Sequence, residues 1–219
     1  MKDLPLSFYE FLAILVPGFL LTMFTVISHG QFPNLNLDNT MHSLFLLAAA
    51  YIVGQIVGQT SLWTIERWTK WFLGEPALVL LGRYKGNCIT RFFFPGYFES
   101  LHEESIKIYK SYLGAKDDDE MLKLTYTTIF TEARLESGQG ERLNHWSRLL
   151  GFSRNICLVA LLIAAHQIYN FCVDGINNDL YAGLAGLFVT LIMYYRYVRF
   201  FRTFNVDLIQ WYVRRGKPL

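Results

Sequence analysis

Residues 155–173, NICLVALLIAAHQIYNFCV, and 180–198, LYAGLAGLFVTLIMYYRYV, are two apolar runs joined only by DGINND at 174–179. Lipid offers the backbone no hydrogen-bonding partner, so a chain crosses hydrocarbon as a helix of about 20 predominantly apolar residues. Each run approaches that length, and the short connection makes the two helices antiparallel neighbours. Two stretches upstream read the same way. Residues 8–28, FYEFLAILVPGFLLTMFTVIS, carry charge only at Glu10, whereas residues 41–63 are weaker because Gln55 and Gln59 interrupt them.

Composition agrees. Of 219 residues, 53% are apolar, and the mean hydropathy is positive, more than a solvated surface around a single core tolerates. The expected fold is an all-α integral membrane protein with about four transmembrane helices and a helical cytoplasmic segment between spans two and three. Residues 1–60 form the N-terminal transmembrane pair, 61–154 the cytoplasmic segment, 155–203 the C-terminal hairpin and 204–219 a cytoplasmic tail. Residues 1–7 are nearly neutral and HGQFP follows the first apolar run, so that run reads as a mature span rather than a cleaved signal peptide.

Orientation follows from the cations. One Lys or Arg precedes the first span, none falls in 29–40, thirteen fall in 61–155, none in 174–179 and six after 195. The positive-inside rule places both apolar hairpin loops outside, with the termini and the central segment in the cytoplasm. Arg67, Lys70, Arg148, Arg154, Arg196, Arg199 and Arg202 flank the spans at the level of lipid phosphates. The bacterial inner membrane is the expected location. Three cysteines make no disulfide framework, and Cys88, Cys157 and Cys172 all read as reduced.

Polar and small residues within the spans carry the functional expectations. Ser7 and Glu10 fit a capping box at the start of span one, and an ion-binding carboxylate is the sharper reading of Glu10. Pro17-Gly18 removes a backbone hydrogen bond at mid-span, giving a kink that either shapes packing or serves as a gating hinge. Span two carries Ala50, Gly54 and Gly58 at four-residue intervals, a stripe that permits close helix contact. Gln55 and Gln59 form the adjacent stripe, either as interhelical glue or as a pore lining. In span three His166 and Asn170 share a face, and His166 is a further pore-lining candidate. Span four repeats the small-residue stripe at Ala182, Gly186 and Thr190.

The central segment opens with SLWTIERWTKWFLG at 61–74, where Trp63, Trp68 and Trp71 suit a membrane interface. GRYKGNCITRFFFPGYF comes next at 82–98 as an irregular stretch, then one helix over 99–112. Another carries Leu122, Tyr126, Ile129 and Ala133 at helical spacing. The acidic run 117–120 suits a helix N-terminus better than a metal. SGQG at 137–140 punctuates the chain, and from Glu141 one helix can run unbroken through Arg154 into span three, able to pass a rotation into the membrane.

Arg83, Lys85 and Arg91 interleave with Tyr84, Phe92, Phe93 and Tyr97. That mixture suits an anionic nucleotide or single-stranded nucleic acid, and equally a loop lying on lipid headgroups. No phosphate loop, nucleophile elbow, HExxH or paired CxxC occurs, and His29, His42, His102, His145 and His166 are scattered. The expectation is therefore no enzyme, no cofactor and no metal.

YEFLAILVPGFLL, then YIVGQIVGQTS with Glu66-Arg67 beyond it, then ERLNHWSRLLGFSRNICL and the closing YRYVRFFRTFN resemble small bacterial multi-helix membrane proteins. Among these, the sequence looks most like the channel component of anti-phage defence systems of the Hailong type. The resemblance implies a homo-oligomeric ion channel gated by the oligonucleotide product of a partner nucleotidyltransferase, or by its depletion. Short DNA or a nucleotide would then be the ligand, and depolarisation would arrest the infected cell. No binding motif matches position by position, so no ligand residue is carried over. A non-conducting scaffold or partner-binding subunit is the alternative, and a proton-coupled transporter or intramembrane enzyme using Glu10 and His166 ranks last.

Overall fold

The computed structural model describes residues 8–29, 40–82, 84–101, 103, 107 and 119–215. Among these there is no strand. Helix α1 spans Phe8–Ser28 and α2 Thr40–Ser61, and a π-helical turn at Leu62–Glu66 leads directly into α3, Arg67–Leu73. Short α4 (Pro76–Leu80) and α5 (Cys88–Phe93) precede a 3-10 turn at Pro95–Phe98. Three longer helices complete the chain: α6 (Asp119–Leu135), α7 (Ser137–Asp174) and α8 (Asn177–Arg215).

Four of these helical stretches are long and apolar enough to cross a membrane: Phe11–Ser28, Thr40–Leu80, Gly138–Asp174 and Asn177–Arg215. The chain is an all-α, multi-pass membrane protein. It divides into two compact units, the first made of Met1–Glu66 and Gly151–Arg196, the second of Arg67–Leu150 and Tyr197–Leu219.

The first unit packs through small residues. A Cβ added at Gly18 would run into the Ala50 carbonyl oxygen, and one at Gly54 into that of Ile14. The α1 and α2 backbones therefore touch, as they must where lipid removes the hydrophobic drive between helices and close van der Waals contact replaces it. Helices α7 and α8 meet in the same manner, Gly183 against Ile168 and Gly186 against Ala160 and Ala164.

The second unit packs through side-chain volume instead. Leu80 and Leu81 after α3, Leu101, Ile129 and Ala133 of α6, Leu143 of α7, and Phe204, Leu208, Ile209 and Tyr212 of α8 form one buried cluster. Polar ties surround it. Asp207 accepts two bonds from Arg142 at 3.0 Å and one from the Trp146 indole at 2.9 Å, and the Tyr126 hydroxyl donates to buried Asn205.

Four differences from the sequence reading have physical causes. Residues 204–215 are no tail, because Phe204, Leu208 and Tyr212 recur one turn apart and fill that core. The stretch 82–98 contains α5, between Gly86 and Gly96, and a 3-10 turn over Pro95–Phe98. Helix α7 starts at Ser137, so Gly138 and Gly140 lie inside it and only Glu136 separates it from α6. Glu99, Ser100 and Leu101 are non-helical, with Leu101 N–H donating to the Leu80 carbonyl at 2.9 Å; most of the helix expected over 99–112 lies outside the described residues.

Candidate functional site

Within the first unit, Pro17 sits buried in the middle of α1. A proline has no N–H, so the carbonyl four residues back, that of Ala13, loses its helical partner. Inside a membrane that oxygen needs another donor. Asn155 supplies it: its Nδ2 donates to the Ala13 carbonyl at 3.2 Å, and the residue is only 4% exposed.

The other end of the Asn155 amide continues the chain of contacts. Ser61 Oγ lies 2.6 Å from Asn155 Oδ1 and 2.9 Å from the Gly58 carbonyl, with one proton to give between them. Its lone pair accepts from Arg154 Nε at 3.1 Å. Arg154 Nη1 in turn donates to Glu66 Oε2 at 2.8 Å, both side chains being mostly buried. Ala13, Ser61, Glu66, Arg154 and Asn155 thus form one polar hub joining α1, the end of α2 and α7.

The π turn places its members. Five residues wide, it sits between Ser61 and Arg67, and Glu66, its last residue, faces Arg154. Arg154 is therefore an internal ion-pair partner, contrary to its expected place among lipid phosphates. Arg202 is likewise turned to protein, donating to the Glu99 carbonyl and carboxylate at 3.2 and 3.4 Å.

The residues singled out in the sequence do not gather in one place. Pro17 and Gly18 are buried at the α1–α2 crossing, with Ala50 and Gly54 opposite. Gly58 looks toward Asn155, where an added Cβ would have ordinary room at 3.7 Å. Ala182 is exposed, and the α7–α8 contact falls to Gly183 and Gly186. His166 lies edge-on to Phe24 at 5.3 Å and 3.4 Å from Asn170 Nδ2, whereas Gln55 and Gln59 stand on the exposed face of α2 with Ile52 and Ile56. The Gln55 amide donates to the Tyr51 hydroxyl of its own helix at 3.0 Å. The three pore-lining candidates are thus two separate features.

In the second unit, Lys85 and Arg91 are exposed, and Arg83 lies outside the described residues. Arg91 borders an open hollow of about 490 Å³ together with Pro95, Phe98, Glu99 and Ser100. A carboxylate in that lining opposes a polyanion. Among the described residues no three His, Cys, Asp or Glu gather as metal ligands do.

Sequence reasoning missed the hub. Its members come from three helices, and Asn155 and Arg154 read locally as the polar edge of a span. The usable signal was Pro17 itself, since a proline inside a span implies a carbonyl in need of a donor. Comparison with protein-family models, with curated proteins and with solved structures finds no match to this chain.

Proposed function

We propose that this chain is the subunit of a homo-oligomeric pore in the bacterial inner membrane, with both termini cytoplasmic, acting as an ion-channel effector of anti-phage defence. One observation carries the reading. Gln55 and Gln59 project from the outer face of α2, within a stretch apolar enough to span. Leaving a primary amide without partners in an apolar medium costs roughly 2–7 kcal/mol, and Gln55 offsets only part of it through Tyr51. Water in a central path, bordered by α2 of several subunits, relieves that cost for both side chains at once.

A nucleotide or short oligonucleotide made by a partner nucleotidyltransferase gates the pore, as the resemblance to the Hailong-type channel component suggests. Pro17-Gly18 forms the hinge, and Asn155 holds the carbonyl that the hinge exposes. Helix α7 is unbroken through Gly151–Asn155, so a turn of its N-terminal part reaches Arg154 and Asn155 directly.

Purified protein in planar bilayers, with and without short DNA oligomers, tests this. Conductance that responds to the oligomer and is altered by Gln55→Leu combined with Gln59→Leu is the expected result. Intact oligomers that never conduct replace the pore with the scaffold reading. Unchanged conductance in the double variant returns the amides to a packing role.

A further inference from the structure

Two short helices of the second unit turn their aromatic rings outward. In α3, Thr69 and Leu73 are 0% exposed while Trp71 is 82% exposed, with Trp68 and Phe72 exposed beside it. Helix α5 does the same: Thr90 is 2% exposed, and Ile89, Phe92 (81%) and Phe93 face out. Water drives the opposite arrangement, with aromatic rings inward and hydroxyls outward. An exposed apolar surface of this kind marks something that covers it.

The two helices belong to one stitched segment. Gly74, at φ +82, ends α3 and lets the Tyr84 ring close against its Cα, and the Tyr97 hydroxyl donates to its carbonyl at 3.2 Å. Tyr84 packs on Phe98, which itself closes over Gly86 just before α5.

Charge identifies the covering phase. Residues 67–98 contain five Lys or Arg and one Glu, whereas 99–154 contain eight and ten acidic residues. The near-neutral central segment is thus sharply divided. Basic side chains beside Trp and Phe are what an anionic phospholipid surface attracts, cations to headgroup phosphates and rings to the acyl boundary. Continuity adds to this, since α3 continues from the α2 span with no non-helical residue between them.

The geometry points to residues 67–98 as a membrane-surface element, whose α3 and α5 aromatics lie in the headgroup–acyl boundary of an anionic leaflet while Lys85 and Arg91 meet lipid phosphates. The assignment requires no conductance, so it stands or falls apart from the pore reading.

Site-directed spin labelling in phosphatidylglycerol–phosphatidylethanolamine nanodiscs tests it. Exposed Cys88 takes a nitroxide in a Cys157→Ala, Cys172→Ser chain; Phe92→Cys and Trp71→Cys take it when Cys88→Ser is added. At these three sites lipid-partitioning oxygen should relax the label several-fold more than a water-confined nickel chelate, with the order reversed at Glu141→Cys, whose native side chain is exposed. Nickel dominance at all three sites overturns the assignment, and so does shielding from both reagents, which means protein cover. Oxygen access lost on adding short DNA oligomers overturns it in favour of nucleic acid. A parallel reading keeps all native cysteines: phospholipid brominated near the headgroup should quench the emission lost in Trp71→Phe, and failure to do so overturns the assignment equally.

Discussion

The two units of this chain solve packing by opposite means. In the first, Gly18, Ala50 and Gly54 bring backbone against backbone, and two buried polar residues, Ser61 and Asn155, lie together in a hydrogen-bonded hub. In the second, Leu80, Ile129, Leu208, Ile209 and Tyr212 fill a core with side-chain volume. On the proposed topology, which puts the second unit in the cytoplasm, solvent accounts for the difference. Water rewards each buried square ångström of apolar surface, whereas in lipid an apolar side chain gains nothing by leaving and only close contact and polar satisfaction hold helices together. The first unit should therefore fail when atoms are added, and the second when they are removed.

The sharpest test sets Gly54 against Gly58. Gly54→Ala drives a methyl into the Ile14 backbone, so loss of monodisperse folded protein in detergent is expected. Gly58→Ala meets only ordinary contact and gains helix propensity of roughly 0.5–1 kcal/mol. Equal tolerance of both variants would break the account of the first unit. Next in size, Leu208→Ala in the second unit should cost about 2–5 kcal/mol through the cavity it leaves, read as a lowered unfolding midpoint; a neutral outcome would remove the claim of a tightly filled core.

Asn155→Leu is expected to cost about 1–3 kcal/mol by leaving buried polar groups without their partner. A double-mutant cycle sharpens it, because Pro17→Ala returns an N–H to the Ala13 carbonyl and should make Asn155→Leu less damaging. Strict additivity would show that Asn155 does not serve that carbonyl. Smallest of all is Arg215→Ala, whose 2.9 Å bridge to Glu132 joins two half-exposed side chains; a change below about 1 kcal/mol is expected.

Much of the architecture was legible in the sequence, for reasons visible in particular residues. Apolar length announced the spans, and the four-residue interval from Ala50 to Gly54 announced a close helix contact, though not that α1 is the partner. In span four the letters AGLAG offer overlapping small-residue stripes, and nothing local chooses Gly183 over Ala182. The end of α8 was hidden because Arg199 and Arg202 punctuate it as a basic tail would, while its apolar turn-by-turn spacing continues to Tyr212. The hub was hidden most deeply, since Ser61 and Asn155 are 94 residues apart and each is unremarked in its own neighbourhood. Gln55 and Gln59 were legible as a stripe, but only their outward placement separates them from His166.

The bond from Asn155 to Ala13 joins residues 142 positions apart, and that separation becomes a delay during synthesis. At about 5–20 residues per second, the ribosome needs roughly 7–30 s after making α1 before the donor for its proline-released carbonyl exists. Until then the first helix must keep that oxygen near water or in the hands of an insertion factor. Its final seating in the bilayer thus waits for the third span, although it is the first span to be made.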